Sequence, residues 1–514
     1  MDKYSLPVCT EVFSSATEKP SVFEAVLPEY CPGMKKVLKA DAVAGNADAS
    51  LSGGIINISV PCDVHLVYVS DSGSLKSVSF SHIAETVFDA SKISDFPGET
   101  KLFTRICIPK VYAKPKSARS AEIKLELLAS VSVCVFDEAP LFSPGSSCDI
   151  ETKCAGEKII KRSVLRSDGN EISDSVNLDS TLPAASELVD RSFSIFPDST
   201  ECTDGSIKYK GTGIFKCTYR TASENNKNDG EYIYLKKNIP IEGEIMSENV
   251  TKDSRVILDL SPTRLDVSLS VDPYGENRII TVNITYSAHA EVFNDRYVEF
   301  THDGFCSLYE CEFENTVYNC DILTNLVNKK EDMSEEIPLN GASITEITDA
   351  EIKIGNYSTE LSDGKVYALA KVYAVITGSN DNGEPCVIEH RFTVKQYIDD
   401  NDLSTEKKYI ICCNAIPQDA NLKDGVLTLD YIFRTDGAIS EKKRINAISD
   451  AQILYDKPKP LCRSEYIIYY PDRNETLWDI AKKYEIPKKK IADANGIDES
   501  QTLNRKTVLI PCAL

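Results

Sequence analysis

Residues 54–69 read GIINISVPCDVHLVYV, and this stretch sets the expectation for the fold of most of the chain. Apolar side chains recur at every second position, for example at Ile56, Ile58 and Val64. Alternation with a period of two places one face of a β-strand on a core and the other face in water. The stretch therefore predicts a half-buried strand that opens at Gly54.

The same pattern occurs three times along the chain. Gly205 and Gly364 open two further alternating stretches, whose matching apolar positions are Ile207, Tyr209, Phe215, Val366, Ala368 and Ala374. A polar turn follows each stretch and predicts a hairpin: Ser70-Asp71-Ser72-Gly73, residues 225–230, and Asn380-Asp381-Asn382-Gly383. A second landmark repeats in the same order, an apolar or small segment that ends at Pro109, Pro262 and Pro417.

Another alternating strand pair follows each proline, with strands at residues 121–127, 279–285 and 425–431. Many short antiparallel strands joined by turns are typical of sandwiches or small barrels. We therefore predict a mainly β protein with three repeated antiparallel units, at residues 20–138, 180–302 and 337–456, and a small module at 464–514. Residues 139–179 and 303–336 are predicted to be linker or lead-in segments, and the polar stretches 168–180 and 328–336 are interpreted as loops or linkers. Chance similarity among β proteins is the alternative to a true repeat.

Composition and charge limit the classes of function. The chain has 57 basic and 79 acidic residues, a formal charge of −22, which repels nucleic acid and anionic lipid. Neither a signal peptide nor an apolar run long enough to cross a bilayer is seen, so we expect a cytosolic protein that is not secreted. No nucleic-acid partner and no cofactor are expected.

Catalytic and metal-binding patterns are sparse. Five histidines are dispersed, and His302-Asp303 with Cys306 is the only close grouping of histidine, acid and thiol. The 17 cysteines lack a Cys-x-x-Cys spacing and are interpreted mostly as buried thiols, with no metal site. Oxidative cross-linking is the alternative, suggested by the cysteines Cys306, Cys311, Cys320, Cys412 and Cys413. We predict that the protein is not an enzyme.

The last fifty residues change to a strand, two helices and a strand. Residues 466–470 are β-branched and aromatic, and Thr476 with Asp479 predicts a capping box at a helix start. A second helix is expected to begin at Pro487 and to end at residues 495–496, Asn-Gly. Residues 508–510 then pair back as the second strand.

Three segments of this module, residues 474–484, 494–497 and 508–511, resemble the LysM family. The resemblance implies a shallow groove for N-acetylglucosamine glycans such as peptidoglycan, formed by Asn474, Glu475, Thr476, Leu477, Gly496, Ile497 and Asp498. Two positions depart from the family pattern: Asn474-Glu475 replaces the usual Gly-Asp, and Asn504-Arg505 replaces the usual Pro-Gly.

Trp478, the only tryptophan, could stack on a sugar, anchor a protein interface or cover the helix packing. Five lysines give the module a basic surface, which is either simply solvated or a docking patch for an acidic partner: Lys482, Lys483, Lys488, Lys489 and Lys490.

The first repeat resembles the SPOCS domain of spore coat proteins, on residues 27–32, 37–40 and the strands from Ile55. SPOCS-like repeats followed by one LysM module are similar to the SipL-like coat morphogenetic proteins. This resemblance implies a mother-cell scaffold at the forespore surface, whose LysM module binds a coat-assembly ATPase of the SpoIVA type and whose repeats contact other coat proteins. A protein that binds cortex peptidoglycan is the alternative.

Overall fold

A computed structural model describes residues 5–511 except 92, 94–98, 143–149, 223–229, 340, 342–343, 401–406, 461–464, 500–502 and 504–506. Nineteen strands form three successive units of antiparallel sheet, and two short strands with two helices form a C-terminal module. None of the helices in these residues is long and apolar enough to cross a membrane. The prediction of a mainly β chain with a small βααβ module is confirmed.

The first unit has two sheets, ordered β1-β7-β6 and β2-β4-β3, with β5 paired to β4. Its strands are β1 (Ser5–Val26), β2 (Met34–Ala44), β3 (Asp48–Ser52), β4 (Ile55–Ser70), β5 (Leu75–Asp89), β6 (Glu99–Ser117) and β7 (Ser120–Pro140).

The second unit has sheets ordered β12-β13-β8 and β11-β10-β9, and the third has sheets ordered β14-β19-β18 and β15-β16-β17. The strands of the second unit are β8 (Ile150–Asn177), β9 (Ala185–Thr203), β10 (Ser206–Thr221), β11 (Tyr232–Met246), β12 (Arg255–Val271) and β13 (Asn277–Cys306). Those of the third are β14 (Tyr309–Ile337), β15 (Glu346–Ser362), β16 (Lys365–Ser379), β17 (Pro385–Asp400), β18 (Lys407–Lys423) and β19 (Val426–Pro458).

All three units share one plan. The first strand pairs with the last strand, the last pairs with the one before it, and the middle strands form a second sheet. The apolar faces of the two sheets enclose a separate core in each unit, which includes Ile58 and Leu125 in the first, Phe215 and Ile284 in the second, and Val372 and Leu429 in the third. The threefold repeat seen in the sequence is therefore a repeat of sheet topology.

The glycines that mark the repeat have a structural reason. Gly54, Gly205 and Gly364 have φ angles of 76°, 95° and 72°, and each immediately precedes the central strand of a second sheet. Positive φ strains a residue that has a Cβ, so glycine suits the turn that reverses the chain. The turns at Gly73 and Gly383 lie where they were predicted. The predicted turn at 225–230 lies outside the described residues, except for Gly230.

The repeated prolines also have a structural reason. Pro109, Pro262 and Pro417 lie in β6, β12 and β18, and in each strand the pairing register shifts at or directly after the proline. Proline has no N–H to give to a ladder, so it is tolerated at a β-bulge. A bulge at the same place bends the corresponding strand in every unit.

The interpretation of residues 168–180 and 328–336 as loops is wrong. Most of the first stretch lies in β8 and all of the second lies in β14, and both strands pair along their length with the last strand of their unit. Their polar composition hides the strands because β8 and β14 are edge strands in which few side chains are buried. The predicted boundaries between repeats and lead-in segments are not tested by this pairing and stay predictions.

Buried groups join the three units to one another. The ammonium group of Lys39 in β2 lies 2.9 Å from Asp190 Oδ2 in β9 and 2.7 Å from Glu351 Oε1 in β15. These are corresponding strands of the first, second and third unit. A small apolar cluster also takes buried side chains from every unit, among them Leu6, Phe300 and Ala447. The scaffold is thus one connected body.

Eight of the 13 cysteines with described side chains are buried, including Cys306, Cys320, Cys412 and Cys413, whereas Cys154 is exposed. Burial raises the pKa of the Cys320 and Cys413 thiols to about 11. Since the thiolate is the reactive form, these buried thiols are poorly suited to cross-linking in the folded chain.

Candidate functional site

The C-terminal module packs two helices on a two-stranded sheet. Its elements are β20 (Tyr466–Tyr469), α1 (Leu477–Tyr484), α2 (Lys488–Asn495) and β21 (Val508–Pro511), and β20 pairs antiparallel with β21. Ile480, Ile491 and Ile510 are fully buried between helices and sheet. Fewer than fifty residues therefore support a core of their own.

The start of α1 is fixed by the capping box predicted from the sequence. Thr476 Oγ1 accepts a hydrogen bond from Asp479 N, and the Asp479 carboxylate accepts one from Thr476 N at 2.8 Å. Two otherwise unpaired backbone donors are satisfied in this way. Glu485, with φ 57°, ends the helix in the left-handed conformation.

Helix α2 begins at Lys488, one residue later than predicted. Pro487 precedes the helix as its N-cap, because its ψ of 129° is extended. Gly496 ends the helix with φ 62°, which confirms the stop predicted at residues 495–496.

Asn495 has a role that the sequence pattern does not reveal. Its side-chain nitrogen donates to Ile491 O at 2.7 Å and to Leu509 O at 2.6 Å, and its side-chain oxygen accepts from Leu509 N at 2.7 Å. The amide thus pairs with β21 as a neighbouring strand would. This contact holds the end of α2, and the loop that follows it, against the sheet.

Trp478 ties the module to the β scaffold. Its ring lies 5.3 Å from the ring of Phe305 at the end of β13, and its Nε1 donates to Asp303 Oδ2 at 2.8 Å. Only 6% of Trp478 is exposed, and Phe305 belongs to the same apolar cluster as the module core. Of the three interpretations of Trp478, the structure shows packing, and that packing reaches across to the scaffold.

Asp303 receives a second partner from the same helix, because Lys482 also donates to its carboxylate. Burial raises the pKa of Asp303, but the hydrogen bonds from Lys482 and Trp478 outweigh it and leave the pKa below its usual value. Of the close grouping of His302, Asp303 and Cys306 noted in the sequence, Asp303 makes this contact and Cys306 is buried.

Two further contacts hold the module. Lys459, in the connection after β19, donates to Cys306 O at 2.9 Å and to Glu485 Oε1 at 2.6 Å. On the other side, Glu151 of β8 lies near Glu499 and Lys488; burial and the charge of Glu499 raise its pKa, while Lys488 opposes this effect. The module is thus fixed at both helices.

The first wall of the predicted groove is the loop before α1. Asn474 and Thr476 are exposed, and Glu475 is half-buried. The Glu475 carboxylate accepts hydrogen bonds from Tyr469 Oη at 2.9 Å and from Asp472 N at 3.1 Å. The hydrogen bonds of Glu475 therefore stabilise this loop, and the exposed side chains of Asn474 and Thr476 form its surface.

The second wall follows α2. Gly496 and Asp498 are exposed and Ile497 is half-buried. A side chain at Gly496 would meet no atom within 4 Å, so the backbone there is open to a ligand. Asn504 and Arg505, the second departure from the LysM pattern, lie outside the described residues.

Leu477 and Trp478 are not on either wall, because both are buried in the core. The structure thus places six of the eight predicted site residues in the two loops: Asn474, Glu475, Thr476, Gly496, Ile497 and Asp498.

Three of the five lysines of the predicted basic surface have an ion-pair or hydrogen-bond partner. Lys482 pairs with Asp303, Lys488 pairs with Glu499 at 3.1 Å, and Lys483 donates to Tyr469 Oη at 2.9 Å. Lys489 and Lys490 are exposed on α2. Within the described part of the chain, no group of three or more His, Cys, Asp or Glu side chains could hold a metal ion.

Comparison with known families identifies this module. The LysM domain model matches residues 473–510, so the C-terminal module is a LysM domain. No curated protein and no solved structure matches the chain.

Proposed function

We propose that the chain is a non-enzymatic binding protein, in which the LysM domain is a recognition surface held rigidly on an acidic β scaffold. The observation that carries this proposal is the contact of Trp478 with Asp303 and Phe305. This contact occupies one face of α1 and leaves both groove loops exposed. A ligand bound in the groove would therefore be fixed in position relative to the three β units.

The partner that we propose is a protein of the spore coat. Three copies of one β unit followed by one LysM domain have the order expected for SPOCS-like repeats in a SipL-like morphogenetic protein. The chain would then act as an adaptor in the mother-cell cytoplasm at the forespore surface. Its LysM domain would bind a coat-assembly ATPase of the SpoIVA type, and weak sites on the repeats would add through effective concentration.

The charge of the domain supports a protein partner. Lys483, Lys489 and Lys490 are exposed on a module attached to a chain whose formal charge is −22. Such a contrast steers an acidic surface toward the module and away from the repeats.

A pull-down with the full-length chain and the purified ATPase tests this adaptor role. Asn474→Ala combined with Gly496→Asn changes both loops, and asparagine tolerates the left-handed backbone at residue 496. Substituting Leu477 or Trp478 would not report on the groove, because both are in the core.

We expect the double variant to lose most of the bound ATPase, while Glu465→Gln, an exposed change outside the groove, keeps it. Full binding by the double variant, or no binding by the unchanged chain, would contradict the adaptor role.

A glycan is the second candidate ligand, and the exposed backbone at Gly496 favours it. Sugars approach the backbone closely, and a glycine there leaves room for the ring. Sedimentation of the full-length chain with purified peptidoglycan sacculi tests this role, with N-acetylglucosamine oligomers as competitors. If the chain stays in the supernatant, or the oligomers do not release it, glycan binding is excluded.

A further inference from the structure

A cavity of about 480 Å³ lies where the three units meet. Each unit contributes the same two strands to its wall: β2 and β6, β9 and β12, and β15 and β18. Ligand pockets of proteins commonly have volumes of a few hundred Å³ and often lie between domains. None of the described residues of the LysM domain line the cavity.

Each of the three bulged strands contributes a polar residue at an equivalent register position to the lining of this cavity. Arg105, Asp259 and Asn414 pair with Ser130, His289 and Arg434 on the last strand of their units, each four residues after the residue that pairs directly beyond the bulge. All three line the cavity and are half-buried. The repeat therefore places a cation, an anion and an amide around one space.

Among the described residues, Arg105 and Asp259 have no ion-pair partner, whereas the other charged residues of the cavity wall lie near an opposite charge. Lys353 pairs with Asp41, and Glu351 pairs with Lys39 outside the cavity. Arg191 lies 3.8 Å from Asp63, and Arg166 pairs with Asp168. Among the described residues, neither Arg105 nor Asp259 makes an ion pair or a side-chain hydrogen bond.

Arg105 is nevertheless held in place. Its guanidinium group lies over the ring of Tyr357, 3.7 Å from the ring centre, so a residue of the third unit orients a side chain of the first. Stacking occupies the face of the guanidinium and leaves its N–H edge for an acceptor. A planar carboxylate fits that edge with two hydrogen bonds.

We propose that the cavity binds a small zwitterion, of the size and chemistry of a free amino acid. Its carboxylate would bind Arg105, its ammonium group would bind Asp259, and Asn414 would donate to or accept from either end. A plain anion would face the Asp259 carboxylate, and a plain cation would face Arg105. The lining of the cavity also includes the apolar residues Leu102, Ile106, Phe193 and Leu260, which suits an apolar side chain.

The test uses the full-length chain. The thermal unfolding of the protein is measured with each of the twenty free amino acids, and the amino acid that raises the transition temperature most is taken to calorimetry. Its N-acetyl derivative lacks the ammonium group, and its amide lacks the carboxylate. Both are measured with the unchanged chain and with Arg105→Gln and Asp259→Asn.

We expect the free amino acid to bind at least tenfold more tightly than either derivative, since each derivative loses one charged hydrogen-bonding group. Arg105→Gln should abolish the preference for the carboxylate, and Asp259→Asn should abolish the preference for the ammonium group. Arg264→Gln, an exposed change on β12, should bind as the unchanged chain does.

No stabilisation by any free amino acid overturns the proposal, and so does a variant at Arg105 or Asp259 that binds all three compounds as the unchanged chain does. If Arg105→Gln fails to fold, the ranking of the three compounds on the unchanged chain and on Asp259→Asn still decides the question.

Discussion

At the scale of single residues, Asp303 shows how one carboxylate holds a binding domain to its scaffold. It accepts hydrogen bonds from Trp478 and Lys482, which lie four residues apart and hence on one face of α1. Because Trp478 is the only tryptophan, tryptophan fluorescence reports the surroundings of this one side chain, which include the contact with Asp303.

The contact of Asp303 with Trp478 and Lys482 should become weaker at acidic pH. Burial raises the pKa of Asp303, but the hydrogen bonds from Lys482 and Trp478 lower it overall. A carboxyl group whose pKa is lowered by folding stabilises the contact above its unfolded pKa of about 4, and this stabilisation is lost as the pH falls through the folded pKa. We expect the emission maximum of Trp478 to shift to longer wavelength below about pH 4 in this window.

Asp303→Asn should weaken the contact at neutral pH by about 1.5–3 kcal/mol, because a charged acceptor becomes neutral. It should also remove this acid-dependent step from the fluorescence titration. Asp266→Asn, which removes an exposed carboxylate of β12, is the matched control and should titrate like the unchanged chain. An identical titration of Asp303→Asn would show that another group controls the contact.

The cap of α1 is a second test at this scale. Thr476→Ala removes the hydroxyl that accepts from Asp479 N, and it should destabilise the module by about 1 kcal/mol. Thr476→Ser keeps the hydroxyl and should keep the stability. Denaturant unfolding of the full chain, followed by Trp478 fluorescence, measures the difference. Equal stability of the two variants would mean that the cap contributes nothing.

At the scale of elements, the central strands of the second sheets were readable from sequence because one of their faces is buried. The alternation around Ile58 and the positive-φ glycine at Gly54 predicted β4, and the same signals predicted its counterparts. The edge strands β8 and β14 could not be read, because a strand with few buried side chains carries little alternation.

The loops of the candidate site could be predicted from the sequence, but the contacts that hold the module to the scaffold and α2 to β21 could not. The capping box and the helix stop at Gly496 follow from local chain geometry, whereas the assignment of the two loops to a groove rests on the resemblance to the LysM family. Phe305 and Asp303 are more than 170 positions from Trp478 in the chain, and their contact depends on tertiary structure. The role of Asn495 needed the position of β21, which no local signal gives.

Asn495 offers a test at the scale of elements, since it joins α2 to β21 through three hydrogen bonds. Asn495→Ala should destabilise the module by about 2–4 kcal/mol, at about 1 kcal/mol for each bond lost. Asn474→Ala, an exposed asparagine of the same module, should cost less than about 0.5 kcal/mol. Denaturation of the full chain monitored at Trp478 compares them, and similar midpoints would contradict the bridging role.

At the scale of the whole molecule, the three units meet through charge as well as through apolar packing. Only 5% of the Lys39 side chain is exposed, and its two acidic partners come from the other two units. Burial lowers the pKa of Lys39, but Asp190 and Glu351 outweigh it and raise the pKa. Burial raises the pKa of Glu351, yet the charges of Lys39 and Lys216 lower it to about 2.

Lys39→Met should therefore weaken the contact between the three units more than it destabilises the core of any single unit. Removing Lys39 leaves Asp190 and Glu351, which are 20% and 11% exposed, without the cation that they share, which costs about 3–5 kcal/mol. In the unchanged chain Glu351 stabilises the fold above its unfolded pKa of about 4.3, and this is lost only as the pH falls through about 2.

Without Lys39 the two carboxyl groups would take up protons at higher pH, and each proton taken up relieves the buried charge. The deficit of Lys39→Met should thus be largest at pH 7 and should shrink toward pH 4.5, as measured by denaturant unfolding at both values. Lys210→Met, which removes the lysine of an exposed pair with Glu242, should cost little at either pH. If Lys39→Met lost no more stability than Lys210→Met, or if its deficit did not change with pH, the charges at the junction would not be what holds the three units together.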